Sequence, residues 1–180
     1  MAEHAPPAPP EADFAAVQIA LGHARPVLGD WRLNLSADIQ MATGALPSGE
    51  QYALGGNSTV RGYYDYEQAG DDGWSSRIEL VSPVWLRVGG IRSTALVFAD
   101  RGFVHIINPQ LTQLSRIHMG SQGFGLRFFS DSGLQAGLDL SRVVFDTQRP
   151  TDNGARARVD VEDECRRCAP RDASGDLRAQ

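Results

Sequence analysis

The chain predicts an all-β fold, an antiparallel transmembrane β-barrel meander of about seven strands. Three observations carry that expectation: segments that alternate polar and apolar residues, the near absence of helical periodicity, and turns that alternate between short and long. Successive side chains of a strand leave opposite faces, so strict alternation makes one face that prefers hydrocarbon and one that prefers water.

The elements follow in order. Residues 1–13, rich in Pro and Ala, read as a disordered arm. In the first strand Val17, Ile19 and Leu21 oppose Gln18, Ala20 and Gly22. A short turn, Pro26-Val-Leu-Gly-Asp30, leads to the cleanest segment, in which Trp31, Leu33, Leu35, Ala37, Ile39 and Met41 share one face. Arg32, Asn34, Ser36, Asp38 and Gln40 take the other. A long connection, 44–73, comes next. Then Trp74, Ile78 and Leu80 oppose Ser75, Arg77 and Glu79, and Ala95, Val97 and Ala99 oppose Leu96, Phe98 and Asp100. A second long connection, 108–115, precedes Phe124, Leu126 and Phe128, which oppose Gly123, Gly125 and Arg127. The short turn Ser130-Asp-Ser-Gly133 introduces Leu134, Ala136, Leu138 and Leu140 against Gln135, Gly137, Asp139 and Ser141. A last strand runs from Ala155 to Val161, and 162–180 read as a disordered tail. Strands of about nine to eleven residues suit a tilted crossing of the hydrocarbon layer, and short turns on one side with long loops on the other are the habit of transmembrane barrels.

Composition excludes more than it selects. Apolar and charged fractions of 42% and 22% are those of ordinary globular domains, so they do not separate a barrel from a soluble antiparallel sandwich. The second face does: a sandwich collects Lys, Glu and Thr there, whereas this chain places Gly, Arg, Asp, Gln and Phe. A net charge of -5 with no basic stripe argues against a nucleic-acid partner. No apolar run approaches the roughly 20 residues of a spanning helix. The opening residues lack a positive n-region and an apolar h-region, so no export signal is expected in this polypeptide. Cys165 and Cys168 supply only half of a tetrahedral zinc site, and no metal is expected. His4, His23, His105 and His118 are scattered, without a nucleophile and base at recognisable spacing. Gly120-Ser-Gln-Gly-Phe-Gly125 lacks the strand and helix context of a phosphate loop. Neither an enzyme nor a cofactor is expected.

The 44–73 connection holds the chemistry. Gly55 and Gly56 open backbone conformations closed to other residues, and Val60-Arg61-Gly62-Tyr63 then presents one cation between an apolar residue and an aromatic. Strand phase puts Phe98 and Asp100 opposite Ala95, Val97 and Ala99, away from the lipid side. A charge on that side near the midplane costs up to about 2 to 4 kcal/mol, at least for Arg or Lys. Glu79 shares the inward face with Arg77, so Arg61 or Arg77 could meet a second acid there.

Leu46-Pro-Ser-Gly-Glu-Gln-Tyr-Ala-Leu-Gly-Gly, the following Val60-Arg-Gly-Tyr63, the Gly70 to Gly73 run and Glu79-Leu80 together resemble the ShlB/FhaC/HecB haemolysin secretion and activation proteins. These belong to the superfamily that includes BamA-like insertases and the two-partner secretion translocators. Val97-Phe-Ala-Asp-Arg-Gly102 resembles the Phe-x-Asp-x-Gly strand motif of that superfamily, marked here by Phe98, Asp100 and Gly102. The motifs stand in the family's order. The resemblance spans roughly Phe14 to Val161 and implies the last seven or so strands of a sixteen-strand outer-membrane barrel. It also implies a loop folded into the lumen whose Arg61 pairs with Asp100, with Glu79 nearby. The implied activity is secretion of a partner exoprotein of the haemolysin or adhesin type. Outer-membrane lipid and the barrel-assembly machinery are the other implied partners, and substrate recognition lies in POTRA domains that this chain lacks. Where family barrels end in a strand with a closing aromatic, Val159 to Cys168 is charged, so the chain is expected to be a partial or truncated member. About seven strands also leave two open edges, which lipid does not tolerate. Two other readings remain: an insertase of the BamA-like branch and a soluble β-sandwich binding module.

Overall fold

The computed structural model describes residues 14–146 and 155–163. The expected arm, 1–13, and all of the expected tail after Asp163, with Cys165 and Cys168, lie outside the described residues.

The strands are β1 (Ala16–Pro26), β2 (Arg32–Ala42), β3 (Tyr52–Leu54), β4 (Gln68–Gly70), β5 (Asp72–Val81), β6 (Leu86–Val88), β7 (Ile91–His105), β8 (Arg116–Ser130), β9 (Leu134–Asp146) and β10 (Ala155–Asp163). Seven of them make one antiparallel path in the order β1-β2-β5-β7-β8-β9-β10, with β6 paired onto β7. Strands β3 and β4 form a separate two-stranded sheet. The seven expected segments lie on that path with the expected phases. Among the described residues there is no helix, and no pairing closes β10 onto β1.

The structure adds to this outline in four places. β7 and β8 are 15 residues long, beyond the expected nine to eleven. The 44–73 connection is not featureless: it contains β3 and β4, and β5 begins at Asp72, before the expected end of the loop. β10 reaches Asp163, two residues into the expected tail. β6 is an addition to the expected strands, although Gly89 and Gly90, with φ of 58° and 78°, make the two-residue left-handed turn that suits a tight hairpin.

Registers fix which residues share a face. Val97 stands opposite Leu80 and Phe124, Phe124 opposite Leu140, and Leu80 opposite Leu33. On this face Val17, Ile19, Ile78, Val97 and Phe124 remain between 42% and 56% exposed. The reverse face carries Gln40, Ser75, Asp100, Ser121, Asp139 and Ser141, all buried. That is the inverse of a water-soluble sheet, whose apolar side packs on the core. The apolar band also runs obliquely. On β1 it occupies Val17 to Leu21, while the row through Leu80 and Leu33 has already reached Arg25. On β10 it lies at Val159 and Val161, and the row of Val159 passes through Leu138 and Leu126 to Ala95.

The polar face is covered by the chain's own long loop, which folds back across the sheet. Leu54, Val60 and Tyr63 of the loop pack with Val104 of β7, Ile117 and Met119 of β8, and Val143 of β9. This small apolar cluster sits on the otherwise polar side, so burial of loop side chains, worth about 1.5 to 3 kcal/mol for each fully buried aliphatic, holds the loop down.

Candidate functional site

The loop is fastened first at its stem. Asp71, between β4 and β5, accepts the Leu46 N–H at 2.8 Å and Gln51 Nε2 at 3.1 Å on one oxygen, and the Ile107 N–H at 2.7 Å on the other. Burial alone would raise its pKa; the two backbone donors and Gln51 outweigh that and hold the carboxyl below the usual carboxylate value. Gln40, also buried, donates to the Glu50 carbonyl at 3.0 Å and the Asp71 carbonyl at 3.1 Å. Gln18 donates to Gln40 Oε1 at 2.6 Å, so β1 and β2 both support the stem.

Further along, Arg61 enters the polar face with 3% of its surface exposed and meets Asp100, which has none. Nε lies 2.7 Å from Oδ2 and Nη2 lies 2.7 Å from Oδ1, the parallel fork that matches a guanidinium to a carboxylate. The Arg61 backbone N–H also donates to Oδ2, at 3.1 Å, so one carboxylate holds both side chain and main chain. Nη1 donates to Glu79 Oε1 at 2.7 Å. The guanidinium lies 3.6 Å from the centroid of the Phe98 ring, a cation over an aromatic face in a desolvated place.

Strand periodicity assembles these partners. Phe98 and Asp100 are two residues apart on β7, hence on one face, and Glu79 of β5 stands opposite Phe98. Burial alone would lower the Arg61 pKa; Asp100 and Glu79 outweigh it and hold the guanidinium above its usual value. Arg77, the other cation that could have met Glu79, turns away, donating to the Asn57 carbonyl at 2.6 Å and Ser36 Oγ at 3.4 Å. It pins a second point of the loop instead.

The residues flanking Arg61 each reach a different strand. Val60 is fully buried over Gly102 of β7, where an added Cβ would approach Val60 Cγ2 to 3.1 Å and run into Leu54. Gly62 has φ of 90°, and a Cβ there would lie 2.7 Å from Ser141 Oγ of β9, so both conformation and space require glycine. The Tyr63 hydroxyl donates to the Gly120 carbonyl and accepts from the Gly120 N–H, each at 3.2 Å. Gly120 is where the β8–β9 register shifts. A bulge interrupts the ladder and leaves peptide groups to be satisfied elsewhere, and one tyrosine hydroxyl serves both.

Charges continue along the same face. Arg127 of β8 forks onto Asp139 of β9 at 2.7 and 2.8 Å. Arg158 of β10 lies 3.1 Å from Asp65 in the loop; this contact holds Asp65 below the usual carboxylate value. Being exposed, it contributes less than the buried pair. Arg156 lies 4.9 Å from the Tyr64 ring centroid, so the loop also touches β10.

Of the residues singled out from sequence, Val60, Arg61, Gly62 and Tyr63 stand on the loop against Phe98, Asp100 and Gly102 of β7 and Glu79 of β5. Gly55 and Gly56, with φ of 110° and 92°, turn the chain just after β3. Sequence reasoning missed Asp71, Gln40, Leu54, the partner of Tyr63, and the apolar docking patch of Val104, Ile117 and Met119. A signal for that patch was present: in β8 the apolar residues sit at odd positions 117 and 119 but at even positions 124, 126 and 128, so the alternation inverts within one strand. Among the described residues no group of three His, Cys, Asp or Glu side chains could hold a metal ion.

The family of haemolysin secretion/activation proteins ShlB/FhaC/HecB matches this chain over residues 1–128. Among solved structures, CdiB from Acinetobacter baumannii is similar, with a TM-score of 0.62 and 17% sequence identity over 82% of this chain and 26% of CdiB. The chain therefore spans about a quarter of that protein's length, and at this identity the likeness is one of fold. Comparison with curated proteins gives no match.

Two outcomes follow from the geometry. Tyr63→Phe strands the Gly120 peptide groups and costs about 1 to 3 kcal/mol of loop docking. Limited proteolysis of the folded protein should then cut within 55–67 markedly faster, and an unchanged cleavage rate contradicts the assignment. For Asp71 the folded carboxyl titrates below its unfolded value of about 3.9, so its stabilisation is complete above that pH and drains away as pH falls through the depressed folded value. Asp71→Asn should unfold more easily at neutral pH yet show a shallower loss of stability on acidification. Unfolding midpoints measured in detergent from neutral to acidic pH check this; parallel slopes for the two proteins contradict it.

Proposed function

Because this chain belongs to the family of haemolysin secretion/activation proteins ShlB/FhaC/HecB, we propose that it forms part of an outer-membrane β-barrel that passes a partner exoprotein of the haemolysin or adhesin type to the cell surface by two-partner secretion. The observation that carries the reading is the polarity of the sheet: apolar side chains stand exposed while Asp100, Asp139 and Arg61 are buried on the opposite face. Lipid selects that arrangement, with hydrocarbon outside and a polar lumen inside. An apolar band oblique to the strands suits strands tilted against a slab. Trp31 and Trp85 near the short turns, and Trp74 near the long loops, stay 38% to 58% exposed, as interfacial aromatics do. A soluble sandwich would need a second sheet over Val97 and Phe124, and among the described residues none covers them.

In this reading transport uses the lumen and no covalent chemistry. The open edges of β1 and β10 are where further strands pair, since lipid-exposed backbone groups must be satisfied. Outer-membrane lipid surrounds the apolar face, and the barrel-assembly machinery inserts the protein. The Arg61 loop is a lumenal element that stabilises the secretion-competent barrel, because it ties β5, β7, β8 and β9 together from inside.

The test is secretion by the intact transporter carrying this segment. Arg61→Asp and Asp100→Arg, each leaving a like-charged pair in place of the fork, should each abolish export of the exoprotein, and the two together should restore a measurable part of it. No restoration, with the protein still inserted, removes the pairing as the reason these residues matter. The membrane assignment is checked separately: the wild-type chain should stay with outer membranes through an alkaline wash and leave only in detergent.

A further inference from the structure

The short-turn end of the sheet carries a second feature that the secretion reading does not use. A cleft of about 900 Å³ there is lined by Arg25, Arg32, Arg87 and Arg92. The carboxylates nearby are few: Asp30 lines the cleft, and Asp131 lies 3.9 Å from Arg92 with both side chains largely exposed. A chain with a net charge of -5 thus gathers positive charge at one rim.

Strand pairing makes the concentration sharper. Arg87 stands directly opposite Arg92 in the β6–β7 hairpin. Like charges directly opposite in a ladder destabilise it, and the second pair from a two-residue turn is of the non-hydrogen-bonded kind, in which side chains come closest. The register sets two arginines side by side, a like-charge cost that an anion between them would offset. Arginine forks suit a phosphate, which takes two parallel N–H donors from each.

The cleft also crosses from one face of the sheet to the other. By strand alternation Arg32, Arg92, Thr94 and Phe129 belong to the polar face, whereas Trp31 and Arg25 belong to the apolar one, and Val84 adds a further apolar side chain to the lining. Trp31 and Trp85 are 40% and 58% exposed beside it. A free phosphate uses only the arginines, and an acidic peptide has no reason to follow the apolar side. An amphiphile uses both. We infer that this rim binds an anionic phospholipid, its phosphate held between Arg87 and Arg92 and its glycerol and acyl portion lying toward Trp31. This inference rests on the outer-membrane reading, in which the rim sits at a membrane surface.

The test uses the intact transporter carrying this segment, folded in zwitterionic phosphocholine micelles. Its β-sheet spectrum is recorded first, then short-chain phosphatidylglycerol, phosphatidylcholine or inorganic phosphate is titrated in. Tryptophan fluorescence and the thermal midpoint are the readouts. Phosphatidylglycerol should give a saturable fluorescence change and raise the midpoint by several degrees. Arg87→Gln with Arg92→Gln should weaken its apparent affinity at least about tenfold, roughly 1.4 kcal/mol, and Arg32→Gln, outside the hairpin, should weaken it as well. Phosphatidylglycerol acting no differently from phosphatidylcholine, inorganic phosphate matching it, or the variants binding as the wild type does each overturns the lipid site while the membrane reading stands. An intact transporter with no β-sheet spectrum in micelles overturns the membrane reading and the lipid site with it.

Discussion

The fork between Arg61 and Asp100, buried under the loop, is the contact on which the arrangement of the polar face depends. Burying either charge alone is costly, and truncating one partner of such a pair costs about 3 to 5 kcal/mol because the other is stranded. The neighbours serve that contact. Glu79 takes the remaining Nη1 donor, Phe98 offers its ring face to the guanidinium, and Gly102 leaves room for Leu54 and Val60. Phe98, Asp100 and Gly102 therefore recur at every second residue for three separate reasons: a platform, a counter-ion and a space.

Around the fork the loop works as a clamp. Four consecutive residues reach four strands: Val60 rests on β7, Arg61 bridges β7 and β5, Gly62 abuts β9, and Tyr63 seals the irregular ladder of β8. A sheet whose buried side is polar has little hydrophobic driving force of its own. The loop supplies some through Leu54, Val60 and Tyr63, packed on the apolar patch of Val104, Ile117, Met119 and Val143. Directional contacts supply the rest, including Arg127 with Asp139 and the stem bonds of Asp71.

Much of this was legible in sequence. Period-two alternation is a local property of each segment, and in a sheet with one apolar face it fixes register and side together. That is why the phases of Val17 to Leu21, Leu33 to Met41 and Phe124 to Phe128 could be read directly. Motif order and strand phase together singled out Arg61, Asp100 and Glu79, which the structure brings within hydrogen-bonding distance. What was not legible depends on long-range geometry. The three-residue strands β3, β4 and β6 are too short to show a period. Asp71 gathers donors from residues 46, 51 and 107, a convergence no local pattern encodes. The docking residues at the far ends of β7 and β8 were missed because the loop reverses the rule there: Val104, Ile117 and Met119 turn apolar side chains inward to receive it.

The central claim is that Arg61 and Asp100 act as one unit that fastens the loop to β7, and a double-mutant cycle measures this most directly. Unfolding free energies of the wild type, Arg61→Ala, Asp100→Ala and the double variant are compared in one detergent. The account predicts that each single change costs about 3 to 5 kcal/mol and that the double variant costs little more than either. Strictly additive losses would contradict it, because they would mean that each residue stabilises the fold without the other.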